Sequence, residues 1–98
     1  MAYRVEVTAR AVRDLRRIYG AIEAANSQVA HRWFNGLEAA IVSLNDSPAR
    51  SPQTPESPNL RHLIYGSKSY AYRIIYRIDE ERERVTVLHI RHGSRAPL

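Results

Sequence analysis

Cysteine is absent from this chain of 98 residues, which excludes disulfides and thiolate metal sites and leaves nothing to argue for an oxidising compartment. Lysine is nearly absent. Lys68 stands alone, and the other fourteen of the fifteen cationic side chains are arginines. Long hydrophobic runs are also missing: no segment approaches the roughly 20 apolar residues that a bilayer span needs. Arg4 and Glu6 interrupt the start, where a signal peptide would be apolar. No His, Asp and Glu residues cluster at metal-ligand spacing, so no metal or cofactor is expected. These absences describe a cytoplasmic, non-membrane protein. With 44% hydrophobic residues, residues 1–98 can form a single domain with one modest core.

What is present is positive charge. Fifteen cations against ten acids give a formal charge of +5. Arginine meets phosphate and carboxylate through a planar fork and stacks on bases. The composition therefore points either to a nucleic acid or to an acidic protein that masks the same surface, with ordinary solubility charge as the plain alternative.

Residues 3–7 alternate apolar and polar side chains, the period of a half-buried strand. Thr8 then suits a helix N-cap. Ala11, Leu15, Ile18, Tyr19 and Ile22 follow at helical spacing, while Arg10, Arg13, Asp14, Arg16 and Arg17 form a basic outer face. A break and recap at residues 24–27 leads into a second helix with Ala30, Trp33, Phe34, Leu37, Ala40, Ile41 and Leu44 on one stripe. One of the adjacent aromatics Trp33 and Phe34 must point off that axis. Residues 45–48, ending in Pro48, stop the helix. Residues 47–59, with four prolines, read as an irregular mobile loop. Three strands then follow, at residues 60–65, 70–78 and 85–90.

The expected architecture is α+β, in the order β-α-α-β-β-β, with an antiparallel sheet carrying a two-helix hairpin on one face. On the longest strand Tyr70, Tyr72, Ile74, Tyr76 and Ile78 share the core face. Ala71, Arg73, Ile75 and Arg77 share the other, which this reading leaves open and cationic.

Taken together, Tyr3, Val5, Val7, Thr8, Ala11, Asp14, Leu15 and Ile18, then Ala30, Leu37 to Leu44, Pro48, Leu60-Arg61 and Leu63, form one half of a known pattern. Tyr72-Arg73-Ile74-Ile75-Tyr76-Arg77-Ile78, Val87-Leu88, Ile90 and His92-Gly93 with Arg95 form the other. In order and length the whole resembles the RelE/ParE superfamily of type II toxins, related to microbial ribonucleases in fold. The resemblance implies a growth inhibitor silenced by a cognate antitoxin in a hetero-oligomer. Its RelE-like branch cleaves messenger RNA in the ribosomal A site, and its ParE-like branch poisons DNA gyrase without being a nuclease. A degenerate toxin that only binds antitoxin is a third possibility. The expectation set here is a metal-independent endoribonuclease acting on the ribosome and mRNA, with gyrase inhibition as the alternative.

Under that resemblance Arg73 would stabilise charge on the scissile phosphate. His92 would serve as acid or base, and Arg95 would clamp the transition state. Lys68, in the turn before the long strand, would assist. Arg50, Arg61, Arg77 and Arg91 would extend a nucleic-acid groove. Glu56 could act as a general base, although a solvated loop acid is the simpler reading. The chain ends Ala96-Pro97-Leu98, without the terminal tyrosine that several RelE-like enzymes stack on the substrate base. Such stacking is worth about 1–3 kcal/mol per base.

Overall fold

The computed structural model describes residues 2–67 and 70–93. Strand β1 (Arg4–Val7) leads directly into α1 (Ala9–Ala21), and α2 (Gln28–Val42) follows after a short break. Strands β2 (Gln53–Thr54), β3 (Ser57–Tyr65), β4 (Tyr72–Asp79) and β5 (Arg84–His92) complete the chain. Both helices start where a hydroxyl can satisfy an orphan amide of the first turn. Thr8 Oγ1 accepts from the Ala11 amide, and Ser27 Oγ from the Ala30 amide, each at 3.2 Å.

The five strands form one sheet in the order β1-β5-β4-β3-β2. The ladders from β2 to β5 are antiparallel, as short connections require, but β1 joins β5 in parallel, so the sheet is mixed rather than antiparallel throughout. That register sets Val5 beside Val85 and Val7 beside Val87, so the apolar sides of both strands enter one core. There Ala11 and Ile18 of α1 and Phe34, Leu37 and Ile41 of α2 meet Ile74, Tyr76, Val85, Val87 and Ile90 of the sheet. The expected core face of β4 is thus confirmed at Ile74 and Tyr76, while Tyr70 lies before the strand and is exposed.

The opposite face departs from expectation at its centre. Arg73 and Ile75 are buried, and Arg77 alone of the expected open-face strand residues is exposed. The proline-rich segment also differs from the irregular loop expected. It contains a 3-10 turn (Pro48–Arg50), the edge strand β2 and the first residues of β3. Prolines at 52 and 55 flank a two-residue edge strand, where a missing N–H is tolerated. The segment is fastened from below by the Tyr76 hydroxyl, which donates to the Pro48 carbonyl, and by Arg61, which donates to the carbonyls of Ala49 and Ser51. Among the described residues no helix is long and apolar enough to cross a membrane.

Trp33 resolves the question of the adjacent aromatics. Phe34 is buried in the core, while Trp33 turns to the sheet and meets Tyr65 and Tyr72 edge-on, with ring centroids at 5.0 and 5.5 Å. The Tyr65 hydroxyl donates to the Trp33 carbonyl at 2.7 Å. It reaches α2 only because Gly36 has no side chain; a Cβ there would collide with that hydroxyl. Gly36→Ala is therefore expected to lower stability by about 1–3 kcal/mol through overpacking, despite a gain of roughly 1 kcal/mol in helix propensity. Adding Tyr65→Phe should recover part of the loss in urea unfolding. A fully stable Gly36→Ala protein would disprove the close approach.

Candidate functional site

The residues expected to act together are divided by the pleat of the sheet. Tyr72 is paired with His92 and Arg73 with Arg91 across the β4–β5 ladder. Successive side chains on a strand point to opposite faces, so Arg73 and His92 project from opposite sides. His92 lies at the end of β5 with its ring edge-on to Tyr72, centroids 5.1 Å apart, on the side of the sheet that bears the helices. Lys68 and Arg95 lie outside the described residues. Arg91, half-buried, neighbours Arg73 across the ladder.

Two of the expected groove arginines have backbone partners instead. Arg50 donates to the carbonyls of Ser43, Asp46 and Ser47 and to the Ser43 hydroxyl, closing the end of the α2 segment. These carbonyls lie in the 3-10 turn at residues 43–45 and the bend after it, and a basic side chain placed there also suits the C-terminal end of the helix. Arg61 ties the loop carbonyls already named.

Arg73 itself is not an exposed groove arginine. Its guanidinium grips Glu56 bidentately, with Nη2 to Oε1 at 2.8 Å and Nη1 to Oε2 at 3.0 Å, and its Nε–H donates to His62 Nδ1 at 3.0 Å. The Arg73 and Glu56 side chains are 9% and 11% exposed. The expectation of a solvated Glu56 is therefore corrected: the turn between β2 and β3 folds it onto the sheet. Three side chains that handle protons and phosphate meet here, and they satisfy one another. The His62 imidazole is held below its ordinary pKa of 6.5, first by burial and then by the Arg73 charge, with Glu56 pulling the other way.

A second polar cluster on the helix side had no counterpart in the sequence reading. The β4–β5 register slips at Ile75/Tyr76: Ile75 is opposite His89 and Tyr76 opposite Val87, so Leu88 is an extra residue. Such a bulge re-aims neighbouring side chains. His89 Nδ1 lies 2.6 Å from Asp14 Oδ2 on α1, and its Nε2 lies 3.2 Å from Arg10 Nη2. Asp14 Oδ2 also accepts from the Ile90 amide at 3.0 Å, and Oδ1 from Arg17 at 3.3 Å. Asp14 is 2% exposed, so it belongs to the buried stripe and not to the outer face of α1. Its spacing from Ala11 and Ile18, three and four residues, was the available signal.

Removing one member of a buried pair strands the other charge. Glu56→Ala and Arg73→Ala should each lower stability by about 3–5 kcal/mol, with a double-mutant cycle showing strong coupling; additive, small losses in chemical denaturation would contradict the pair. The His62 shift gives a separate expectation. Because its folded-state pKa is depressed, the unfolded chain takes up the proton more readily, so stability falls as pH drops below about 6.5 toward the folded value. His62→Asn offers a carbonyl oxygen near the Nδ1 position and cannot titrate. The pH dependence of the urea midpoint in that window should flatten relative to the natural chain, and an unchanged slope would exclude His62 as its source.

The chain is similar in fold to several solved toxins. A mutant of Escherichia coli toxin RelE in the free state aligns at 21% identity over 96% of this chain and 86% of its own, with a TM-score of 0.65. The chromosomal ParDE toxin–antitoxin system of Pseudomonas aeruginosa aligns at 17% identity over 93% and 96%, with a TM-score of 0.72. The toxin–antitoxin complex RelBE2 of Mycobacterium tuberculosis aligns at 28% identity over 97% and 95%, with a TM-score of 0.62. No curated protein matches the chain. The family model for the ParE toxin of the type II toxin–antitoxin system parDE matches residues 5–97, nearly the full length from β1 past β5, and the chain belongs to that family of toxins.

Proposed function

We propose that this toxin arrests growth by binding its target rather than by cutting RNA, with DNA gyrase as the target class, and that a cognate antitoxin holds it inactive. The observation that carries the reading is the engagement of Arg73. Stabilising a scissile phosphate requires a guanidinium facing the substrate, but this one forms a bidentate pair with Glu56 on a side chain that is only 9% exposed. His92, the other intended catalyst, projects from the opposite face. The antitoxin partner is supported by the relatives of the same fold described as ParDE and RelBE2 toxin–antitoxin assemblies.

One observation favours the RelE-like alternative, ribosome-dependent mRNA cleavage. Glu56, Arg73 and His62 do converge, giving an acid, a cation and an imidazole within hydrogen-bonding distance. That chemistry requires the Glu56–Arg73 pair to open for substrate. The deciding experiment is induction without antitoxin, mapping mRNA 5′ ends and gyrase-linked DNA breaks in one culture. DNA breaks with intact messages are expected. Fresh cuts inside translated codons with unbroken DNA would transfer the protein to the nuclease branch.

A further inference from the structure

A groove of about 500 Å³ runs between α1 and the end of β5, along the edge of β5 that β1 leaves unpaired beyond Val87. Arg10, Arg17, His89, His92 and Tyr72 line it, with Asp14 at its base. The buried Asp14 carboxylate organises two arginines across it. Arg17 is held directly on Oδ1, and Arg10 is held at one remove, through His89 on Oδ2. Arginine only donates and a carboxylate only accepts. The His89 ring therefore donates from Nδ1 to Asp14 and offers its Nε2 lone pair to Arg10. Surface arginines ordinarily keep their rotamer freedom, and exposed contacts of this type add little stability. Holding two of them in place from a buried anchor suits an anion that must be met by several donors at once, because the ordering is done before binding.

The groove distinguishes among anions. A carboxylate is satisfied by one planar fork, whereas a phosphate monoester presents three oxygens to donors from separate directions. At the β5 end, the Tyr72 and His92 rings supply aromatic surface of the kind on which bases stack. We propose that this groove binds a nucleotide through its phosphate, with Arg10 and Arg17 as the clamp, His89 and Asp14 as positioning residues, and the Tyr72–His92 end receiving the base. The inference does not rest on the choice between gyrase and ribosome. The phosphate has two sources with the same chemistry, a free nucleotide and the 5′-phosphate end of a strand.

The test is titration of the full chain with inorganic phosphate and with adenosine 5′-monophosphate, following the imidazole resonances of His89 and His92. Saturable shifts are expected from both probes, tighter for the nucleotide. Arg10→Gln and Arg17→Gln should each weaken nucleotide binding about tenfold, the scale of one charge-assisted contact. Arg16→Gln, an equal loss of charge on the exposed side of the same helix away from Arg10 and Arg17, should leave it unchanged. His89→Gln should weaken binding with Arg10 and Arg17 both present, and its thermal midpoint reports whether the fold is intact. Competition by a 5′-phosphorylated oligonucleotide but not by its 5′-hydroxyl form would identify the strand end as the source, and competition by neither the free nucleotide. The proposal is overturned by an absence of saturable shifts, or by Arg16→Gln weakening binding as much as Arg10→Gln.

Discussion

Asp14 accepts hydrogen bonds from Arg17 on its own helix and from the His89 ring and the Ile90 amide on β5, joining residues 76 positions apart in the chain. Its place follows from the length of β1. That strand pairs with β5 only from Arg4 to Val7, opposite Arg84 to Val87, so the same edge of β5 beyond Val87 has no strand partner. The chain turning from β1 into α1 supplies partners instead. The Thr8 amide donates to the Val87 carbonyl, the Thr8 hydroxyl to the Leu88 carbonyl, and Asp14 receives the Ile90 amide. Buried backbone groups need such partners. A carboxylate with three donors offsets much of its own desolvation, whereas an unpaired one would not be tolerated. The seating of α1 on the sheet, and with it the hairpin layer, depends on this clasp.

The Glu56–Arg73–His62 cluster performs the corresponding task on the other face. It draws the turn between β2 and β3 onto the central strand and buries two charges that neutralise each other. Fixing a unique arrangement is one role for buried ion pairs, and their net stabilisation is small even where breaking them is severe. An arginine in that state is a structural element first. A loss of toxicity on its removal would follow from loss of the fold as readily as from loss of chemistry, so the cellular readout of DNA and mRNA damage is more informative than an alanine at this position.

Much of the fold was legible because it rests on periodicity and capping. Thr8 and Ser27 announced the helix starts, the stripe from Ala30 to Leu44 gave α2, and the alternation around Ile74 and Tyr76 gave the core face of β4. What was not legible depended on pairing at a distance. Nothing local to Glu56 indicates that it will be folded under a turn and matched with Arg73, seventeen residues on. Nothing local to Leu88 marks it as the extra residue that turns His89 toward α1. The parallel join of β1 to β5 likewise depends on which edge of the sheet remains for the first strand. Asp14 was expected on the outer face of α1 and is buried; its spacing from Ala11 and Ile18 was the local signal, because an acid at a buried helical position needs a partner.

The arginines, sorted by their partners, relocate the cationic surface. Arg50 and Arg61 are held on backbone carbonyls, Arg73 on Glu56, Arg82 on Asp79, and Arg84 on Glu6 and Asp79. Of the strand arginines that suggested a basic sheet face, Arg61 and Arg73 are thus matched within the fold, while Arg77 stays exposed. Helix α1, by contrast, carries Arg10, Arg13, Arg16 and Arg17 against a single acid, Asp14, and that acid is buried. Arg10, Arg13 and Arg17 recur at spacings of three and four, which aligns them along one side of the helix over about 10 Å. With only Asp14 to offset four cations, the potential there stays positive after the internal pairs are counted. An anionic partner approaching this molecule is therefore drawn first to α1 and the groove beneath it, rather than to the face of the sheet that holds Arg73.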